Sequence, residues 1–557
     1  MHRVPFPQPQ PSKTDRRQPR SRAPFQALGT VAGLVLLCLG PWSPWACAPA
    51  EPRDVAQDVL LITVDTLRAD HLGLYGHDGA STPHFDDLGD RGRRYDAAFT
   101  PFPRTTPALG TLFTGRWPQI HGSREVGRPV HKGQVFLTHK LKELGFTTLG
   151  VSANGAAGES QNLDQGFDDM ISAQELSRTR AVHITDAALK LMQAHGDAER
   201  LFLWAHYADP HFPYSPLQEE PDLDAVTAPD GTCAELVKYA TAARHHTAHV
   251  VSNRDGRSEQ ALEDCRRAYD QEIVHVDRQI GRLLEAWAAA RGGSLDNTLV
   301  IVTSDHGENM GEWHLYYQHG PNVHDAGLRV PLIFTGPGVE PGVDEAPVSL
   351  EDVMPTVLSL LGVKKKDRPE SDGVDLSTGE HLASDSGEER LLFAESGSAL
   401  LVESFRYVTS GRKGNRNCTN GPRYALCEDK DGTLRLFDHV EDPDLTQDLA
   451  PVEVEHARAL LRIRRQWPPE SSRQRSVRQG RYKLVEVPKL QGGYQRLLFD
   501  TEADPLETTD LAQQEPQRAA ELGEALSQWT ATLPVHSGLG ELTPEEEQEL
   551  RALGYID

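Results

Sequence analysis

Three stretches of the chain are apolar without interruption, and each stops at a cluster of polar groups: Asp58 to Asp65 (DVLLITVD), Leu201 to His206 (LFLWAH) and Thr298 to Thr303 (TLVIVT). A strand with one wet face alternates apolar and polar residues, so continuous Val, Ile and Leu predict strands buried on both faces, as in a parallel sheet covered by helices. Helical spacing follows elsewhere. Tyr269, Ile273, Val276, Ile280 and Leu284 line one face of a predicted packing helix over Arg266 to Ala290. Another helix opens at Asp352-Val-Met-Pro355-Thr356 and ends near Gly362, and a third begins around Thr105 with Pro107 in its first turn. Strands and helices mixed in this way define an α/β protein.

The pattern changes toward the C-terminus. Leu434 to Pro443 and Leu497 to Pro505 share a strand followed by an Asp-Pro turn, each continuing to Asp-Leu-Ala at Asp448 to Ala450 and Asp510 to Ala512. Arg406-Tyr407-Val408 and Arg481 to Leu484 precede them as matching strands. Two related β-hairpin units are predicted, in a smaller C-terminal α+β region over 366–557 that follows a larger domain over 51–365. The polar, irregular stretch Ser215 to Gln260, with His245-His246 inside it, reads as an exposed insertion lining an entrance.

A length of 557 residues allows more than one domain, and a net charge of −25 repels polyanions, which argues against nucleic-acid binding. Lys364-Lys365-Lys366 reads as a solvated turn. Residues 1–50 read as a targeting segment: Arg16, Arg17, Arg20 and Arg22 precede an apolar run from Ala27 to Gly40. Ala48-Pro49-Ala50 offers a signal-peptide cleavage site, Cys47 a lipoprotein anchor, and the uncleaved run a membrane tether. Each alternative sends the chain out of the cytoplasm, to the periplasm, the cell surface or the medium. In such an oxidising compartment Cys233 with Cys265 and Cys418 with Cys427 are candidate disulfide pairs. Asn417-Cys418-Thr419 also fits a glycosylation sequon.

The chemistry is concentrated where the strands end. Thr298 to Thr303 runs directly into Ser304-Asp305-His306-Gly307-Glu308, which delivers a carboxylate and an imidazole to the carboxyl edge where open α/β sheets hold their sites. Both groups can reach one divalent ion, while a capped turn would need only the glycine. Asp65 leaves its strand at the same kind of edge and strengthens the metal reading. Thr105, at a helix N-terminus, stands among donor amides that favour an oxyanion. The competing role for Thr105 or Thr106 is a plain helix cap.

VLLITVDTLRADHLGLYG, TPHFDDLGDRGRRYDAAFT, TLFTGRWPQIHG, DPHFPY, TSDHGE, GLRVPLIFTGPG and the ending LRALGYI together resemble the sulfatase family of the alkaline-phosphatase superfamily, from about Asp58 to Gly362. The resemblance implies an alkaline-phosphatase-like α/β/α sandwich, one divalent ion (Ca, Mn, Mg or Zn), and hydrolysis or transfer of a sulfate or phosphate ester. The departures are specific. Where a formylglycine sulfatase carries Cys or Ser in Cys-x-Pro-Ser-Arg, this chain has Thr105-Thr106-Pro107-Ala108-Leu109. A threonine cannot be oxidised to an aldehyde, because its carbinol carbon bears a methyl group. Leu109 replaces the arginine, and Gly150 to Gly155 replaces the segment that supplies lysine and histidine.

What remains resembles the threonine-nucleophile branches, such as lipoteichoic-acid synthase-like and phosphoethanolamine transferases. By that likeness Asp65, Thr105, Asp305 and His306 hold the metal, with Thr105 as nucleophile. His211 and His319 contact the transferring group and the leaving oxygen. His314 and His324 are further candidates, and Asn154 a possible oxygen ligand. Phosphoryl transfer to an acceptor, or ligand binding without turnover, are the alternative functions.

Overall fold

A computed structural model of the chain describes most of residues 55–214, 258–402, 406–438 and 473–533. Asp58–Val64 forms the middle of an eight-stranded sheet, flanked by Arg200–Tyr207 and Thr298–Ser304. Both neighbours run parallel to it, with Val64 level with Tyr207 on one side and Ser304 on the other. Outward from these lie Phe146–Ser152 and Asp169–Ile171 in one direction, and Leu332–Thr335, Arg93–Tyr95 and Gly342–Asp344 in the other. Leu332–Thr335 is the antiparallel member.

The central strand is buried at every position, and its alternate side chains enter two different cores. Leu60, Ile62 and Val64 pack with Tyr269, Ile273, Val276, Ile280 and Trp287 of the long helix Ser258–Ala290. Val59 and Leu61 pack with Leu109, Leu112 and Phe113 of helix Thr105–Thr114 and with Val353, Val357 and Leu358 of helix Val353–Leu360. Fully burying each such side chain contributes up to about 2 kcal/mol. The result is the α/β/α sandwich. Helix on both faces is the reason these strands read as unbroken apolar runs.

A four-stranded antiparallel sheet, Leu391–Glu395, Arg475–Gln479, Tyr482–Pro488 and Tyr494–Asp500, closes the C-terminal side. One face, through Val477, Leu484 and Leu498, takes Leu522, Leu526 and Trp529 of helix Pro516–Thr532. The other, through Leu392, Val485, Leu497 and Phe499, covers Phe99, Leu315, Val323 and Leu328. Tyr482–Pro488 and Tyr494–Asp500 pair directly as a hairpin. Arg406–Lys413 and Leu434–Asp438 belong to a separate five-stranded sheet and are kept apart by Arg416–Asn420 and Tyr424–Glu428. Cys265 and Cys427 each belong to a disulfide, and Cys418 stands directly across the ladder from Cys427. Cys233, His245-His246 and the N-terminal segment lie outside the described residues, among which no helix is long and apolar enough to cross a membrane.

Candidate active site

Because Val64 and Ser304 are level in adjacent parallel strands, Asp65 and Asp305 leave the sheet side by side. The turn after the first strand is then fixed from several directions. Thr66 adopts φ 57°, a left-handed conformation that a β-branched residue rarely takes. Its N–H donates to Asp305 Oδ1 at 3.2 Å, and its carbonyl accepts from the Tyr269 hydroxyl at 2.7 Å. Asp305 Oδ1 also accepts the His306 N–H at 2.8 Å, while Oδ2 is left buried without a hydrogen-bond partner.

His306 is oriented by its own loop. Nδ1–H donates to Gly307 O at 2.9 Å, so Nε2 presents a lone pair. That nitrogen is 3.4 Å from Asp305 Oδ2, 3.8 Å from Asp65 Oδ1 and 3.3 Å from Thr105 Oγ1. Asp65 Oδ1 and Asp305 Oδ2 are buried and accept no hydrogen bond. Burial, then the charge of Asp305, pushes the Asp65 carboxyl well above its ordinary range, while burial lowers His306 to about 4. Two bare carboxylate oxygens facing an imidazole lone pair in a dry site fit a divalent cation, which would remove the repulsion. Asp65, His206 and Asp305 lie close enough together to hold such an ion.

Thr105 opens the helix Thr105–Thr114 after Arg104, and no side chain caps that end. Thr106 Oγ1 donates to Ala156 O at 2.7 Å, whereas the Thr105 hydroxyl faces His306. Neither threonine serves as the cap. His319 lies beside His306 with ring centroids 4.3 Å apart, and His211 beside His319 at 5.1 Å. His319 Nδ1 meets Glu308 Oε1 at 3.1 Å. Burial, together with His211 and Arg104, holds the His319 pKa well below the usual value, and burial raises Glu308 to about 7.

Asn154 does not match its expected role as an oxygen ligand. Its carbonyl oxygen accepts from Ala156 N at 2.8 Å, and its amide Nδ2 donates to Asp65 Oδ2. The opposite amide orientation would set oxygen against carboxylate, so Asn154 positions Asp65 rather than a metal. His324 is also displaced from the expectation: it stacks on Trp313 and pairs with Glu507 at 3.1 Å, on the C-terminal side of the loop. The side chain of His314 lies outside the described residues.

Three groups escaped the sequence reading. His206 lies inside the run LFLWAH and passes for a strand residue, yet its Nε2 is buried, unpartnered and 3.9 Å from Asp65 Oδ2. Glu308 follows the Asp-His pair but gains its role only once the chain returns with His319. Arg104 Nε is buried without a hydrogen bond, beside Gly320 and Gly397, where a Cβ on either glycine would collide with it. For His206 the missed signal is an imidazole near the carboxyl end of a doubly buried strand.

The three layers and the grouped acids, imidazoles and hydroxyl define an alkaline-phosphatase-like fold with a candidate metal centre. The Sulfatase family pattern matches residues 57–363, and the chain belongs to that family. Choline-sulfatase of Rhizobium meliloti (strain 1021) is 38% identical over 120 residues, which is 21% of this chain and 23% of that protein. The uncharacterized sulfatase YidJ of Escherichia coli (strain K12) is 25% identical over 348 residues, 55% of this chain and 68% of that one. In three dimensions, phosphonate monoester hydrolase SpPMH from Silicibacter pomeroyi superposes with a TM-score of 0.56 at 20% identity, over 85% of this chain and 94% of that chain, a likeness of fold.

Proposed function

We propose that this chain is an exported, metal-dependent hydrolase of sulfate or phosphate esters in which Thr105 is the nucleophile. The observation that carries the reading is the Thr105 hydroxyl 3.3 Å from His306 Nε2, in a pocket where Asp65 Oδ1 and Asp305 Oδ2 are bare. A divalent ion held by Asp65, Thr105, Asp305 and His306 would acidify the hydroxyl and offset the charge of the ester.

Thr105 Oγ1, its proton released to water, attacks sulfur or phosphorus; the new bond to Oγ1 forms as the bond to the leaving oxygen breaks. Glu308, raised to about 7, can carry a proton to His319 Nδ1 as His319 gives its Nε2–H to that oxygen, and His211 flanks the ring. Arg104 contributes positive charge beside His319 for the anionic ester. Water then displaces Thr105 from the sulfuryl or phosphoryl group and restores the hydroxyl. The disulfide state of Cys265 and Cys427 supports export, since such bonds persist in oxidising compartments.

The burial of Leu109 supports a second reading, ligand binding without turnover, because no arginine reaches the pocket from that position. One experiment separates the two. Wild type and Thr105→Ala are assayed with Mn, Zn, Ca or Mg on aryl phosphate monoesters and diesters, phosphonate monoesters and aryl sulfates. Turnover of at least one class by wild type, lost in the variant, is expected. Equal turnover by both removes Thr105 from the mechanism, and none from wild type favours binding.

A further inference from the structure

We propose that His206 is a metal ligand alongside Asp65 and Asp305, and that an imidazole donor at this place selects a borderline transition ion over calcium. The inference rests on the metal reading above and extends it to the identity of the ion.

The imidazole is placed by the strand itself. His206 stands level with Thr63 of the central strand, and its Nδ1 meets Thr63 Oγ1 at 2.9 Å. Thr63 Oγ1 is in turn fixed by the indole N–H of Trp204 at 2.8 Å, and the indole stacks on the imidazole at 5.6 Å between centroids and 27° between planes. With an ion on Nε2, Nδ1–H would donate to the lone pair of Thr63 Oγ1 that the indole leaves free, which is the tautomer a ligating His206 needs. Histidine ligands are commonly oriented through the ring nitrogen that does not bind metal.

The free nitrogen is aimed at the acids. His206 is 0% exposed, and Nε2 finds no hydrogen-bond partner. It lies 3.9 Å from Asp65 Oδ2, too far for a hydrogen bond, and is grouped with Asp65 and Asp305 so that their ligand atoms lie within 4.8 Å of one another. A buried, unpaired ring nitrogen is costly, and an apolar residue would complete the run LFLWAH without that cost. An ion between His206 and the two carboxylates satisfies all three residues at once.

The choice of ion follows from donor chemistry. Calcium and magnesium prefer oxygen ligands, whereas an imidazole suits zinc, iron, nickel or copper. The test uses the full chain stripped with a chelator, then titrated calorimetrically with Zn²⁺ or Ca²⁺, with metal content measured after dialysis and the visible spectrum recorded after loading with Co²⁺. His206→Ala should weaken Zn²⁺ binding by about 10- to 100-fold, leave Ca²⁺ binding nearly unchanged and alter the Co²⁺ spectrum. Thr63→Val, which frees the ring without removing it, should weaken Zn²⁺ by a smaller factor. This second variant decides the matter if His206→Ala does not fold. Unchanged Zn²⁺ affinity and Co²⁺ spectrum in these variants, while His306→Ala loses the ion, would overturn the role of His206 alone. Failure of wild type to bind any ion, or retention of full affinity by His306→Ala, would instead overturn the metal reading beneath it.

Discussion

Thr105 Oγ1 and His306 Nε2 meet at 3.3 Å across a separation of 201 residues, the first at a helix N-terminus and the second just past a strand end. The contact exists because helix Thr105–Thr114 packs on the sheet through Leu109, Leu112 and Phe113, which sets its first residue over the edge where Asp65 and Asp305 emerge. Thr105→Ser keeps an attacking oxygen and is expected to retain turnover. Thr105→Val keeps the shape and removes the oxygen, and should lower kcat/KM by about a thousandfold or more. Steady-state rates on the preferred ester, with circular dichroism as the folding control, check both.

Arg104 separates the binding of charge from the chemistry. Its Nε has no hydrogen-bond partner, and its backbone is held between Phe102 O and the first helical turn. Arg104→Met should raise KM for the anionic ester by about 10- to 100-fold and weaken inhibition by inorganic phosphate to a similar degree. Arg104→Lys should recover part of both, because it restores the charge without the fork. A variant in which kcat alone falls would contradict a role in binding the anion.

Acid should weaken the fold through His121. This imidazole is 0% exposed, its Nε2–H donates to Pro107 O at 3.1 Å, and its Nδ1 accepts from Ser123 N at 3.3 Å. Burial lowers its pKa to about 3. In the unfolded chain the group titrates near 6.5, so below about pH 6.5 the unfolded state binds the extra proton and the folded state does not. Stability from this group is complete above that value and is lost as pH falls toward 3. Urea unfolding between about pH 7 and about pH 5 should show wild type losing about 2 kcal/mol more than His121→Asn.

The C-terminal sheet is latched to the catalytic side by buried charge. Lys483 Nζ reaches Asp325 Oδ1 at 2.6 Å and Glu507 Oε1 at 2.8 Å, and Arg478 reaches Asp325 Oδ2 at 2.5 Å. Lys483 and His324 hold the Glu507 carboxyl far below its usual range against the opposing effect of burial. Lys483→Met leaves Glu507 only His324 and the Asp325 N–H and should cost about 3–5 kcal/mol in denaturant unfolding. Adding Glu507→Gln to that variant should recover much of the loss, because the uncompensated charge is then gone.

The doubly buried strands were legible because nothing polar interrupts Asp58–Val64, and the strand-end rule then pointed to Asp65 and to Asp305-His306. Phe146–Ser152 was less legible, since two threonines and a glycine break its apolar run. The outer strands Arg93–Tyr95, Asp169–Ile171 and Gly342–Asp344 are three residues each, too short to leave a period. In the site, what the sequence withheld was direction. Asn154 was a candidate ligand until its amide was seen to face Asp65, and His206 was concealed by apolar neighbours. Glu308 and His319 become partners only through the return of the loop between them.

Leu109 lies in the hydrocarbon filling beneath the sheet, where it touches no solvent. Putting a guanidinium back at that place would strand an unpaired charge in oil, a penalty of several kcal/mol. Positive charge for an anionic ester has therefore to reach Thr105 from outside this helix face.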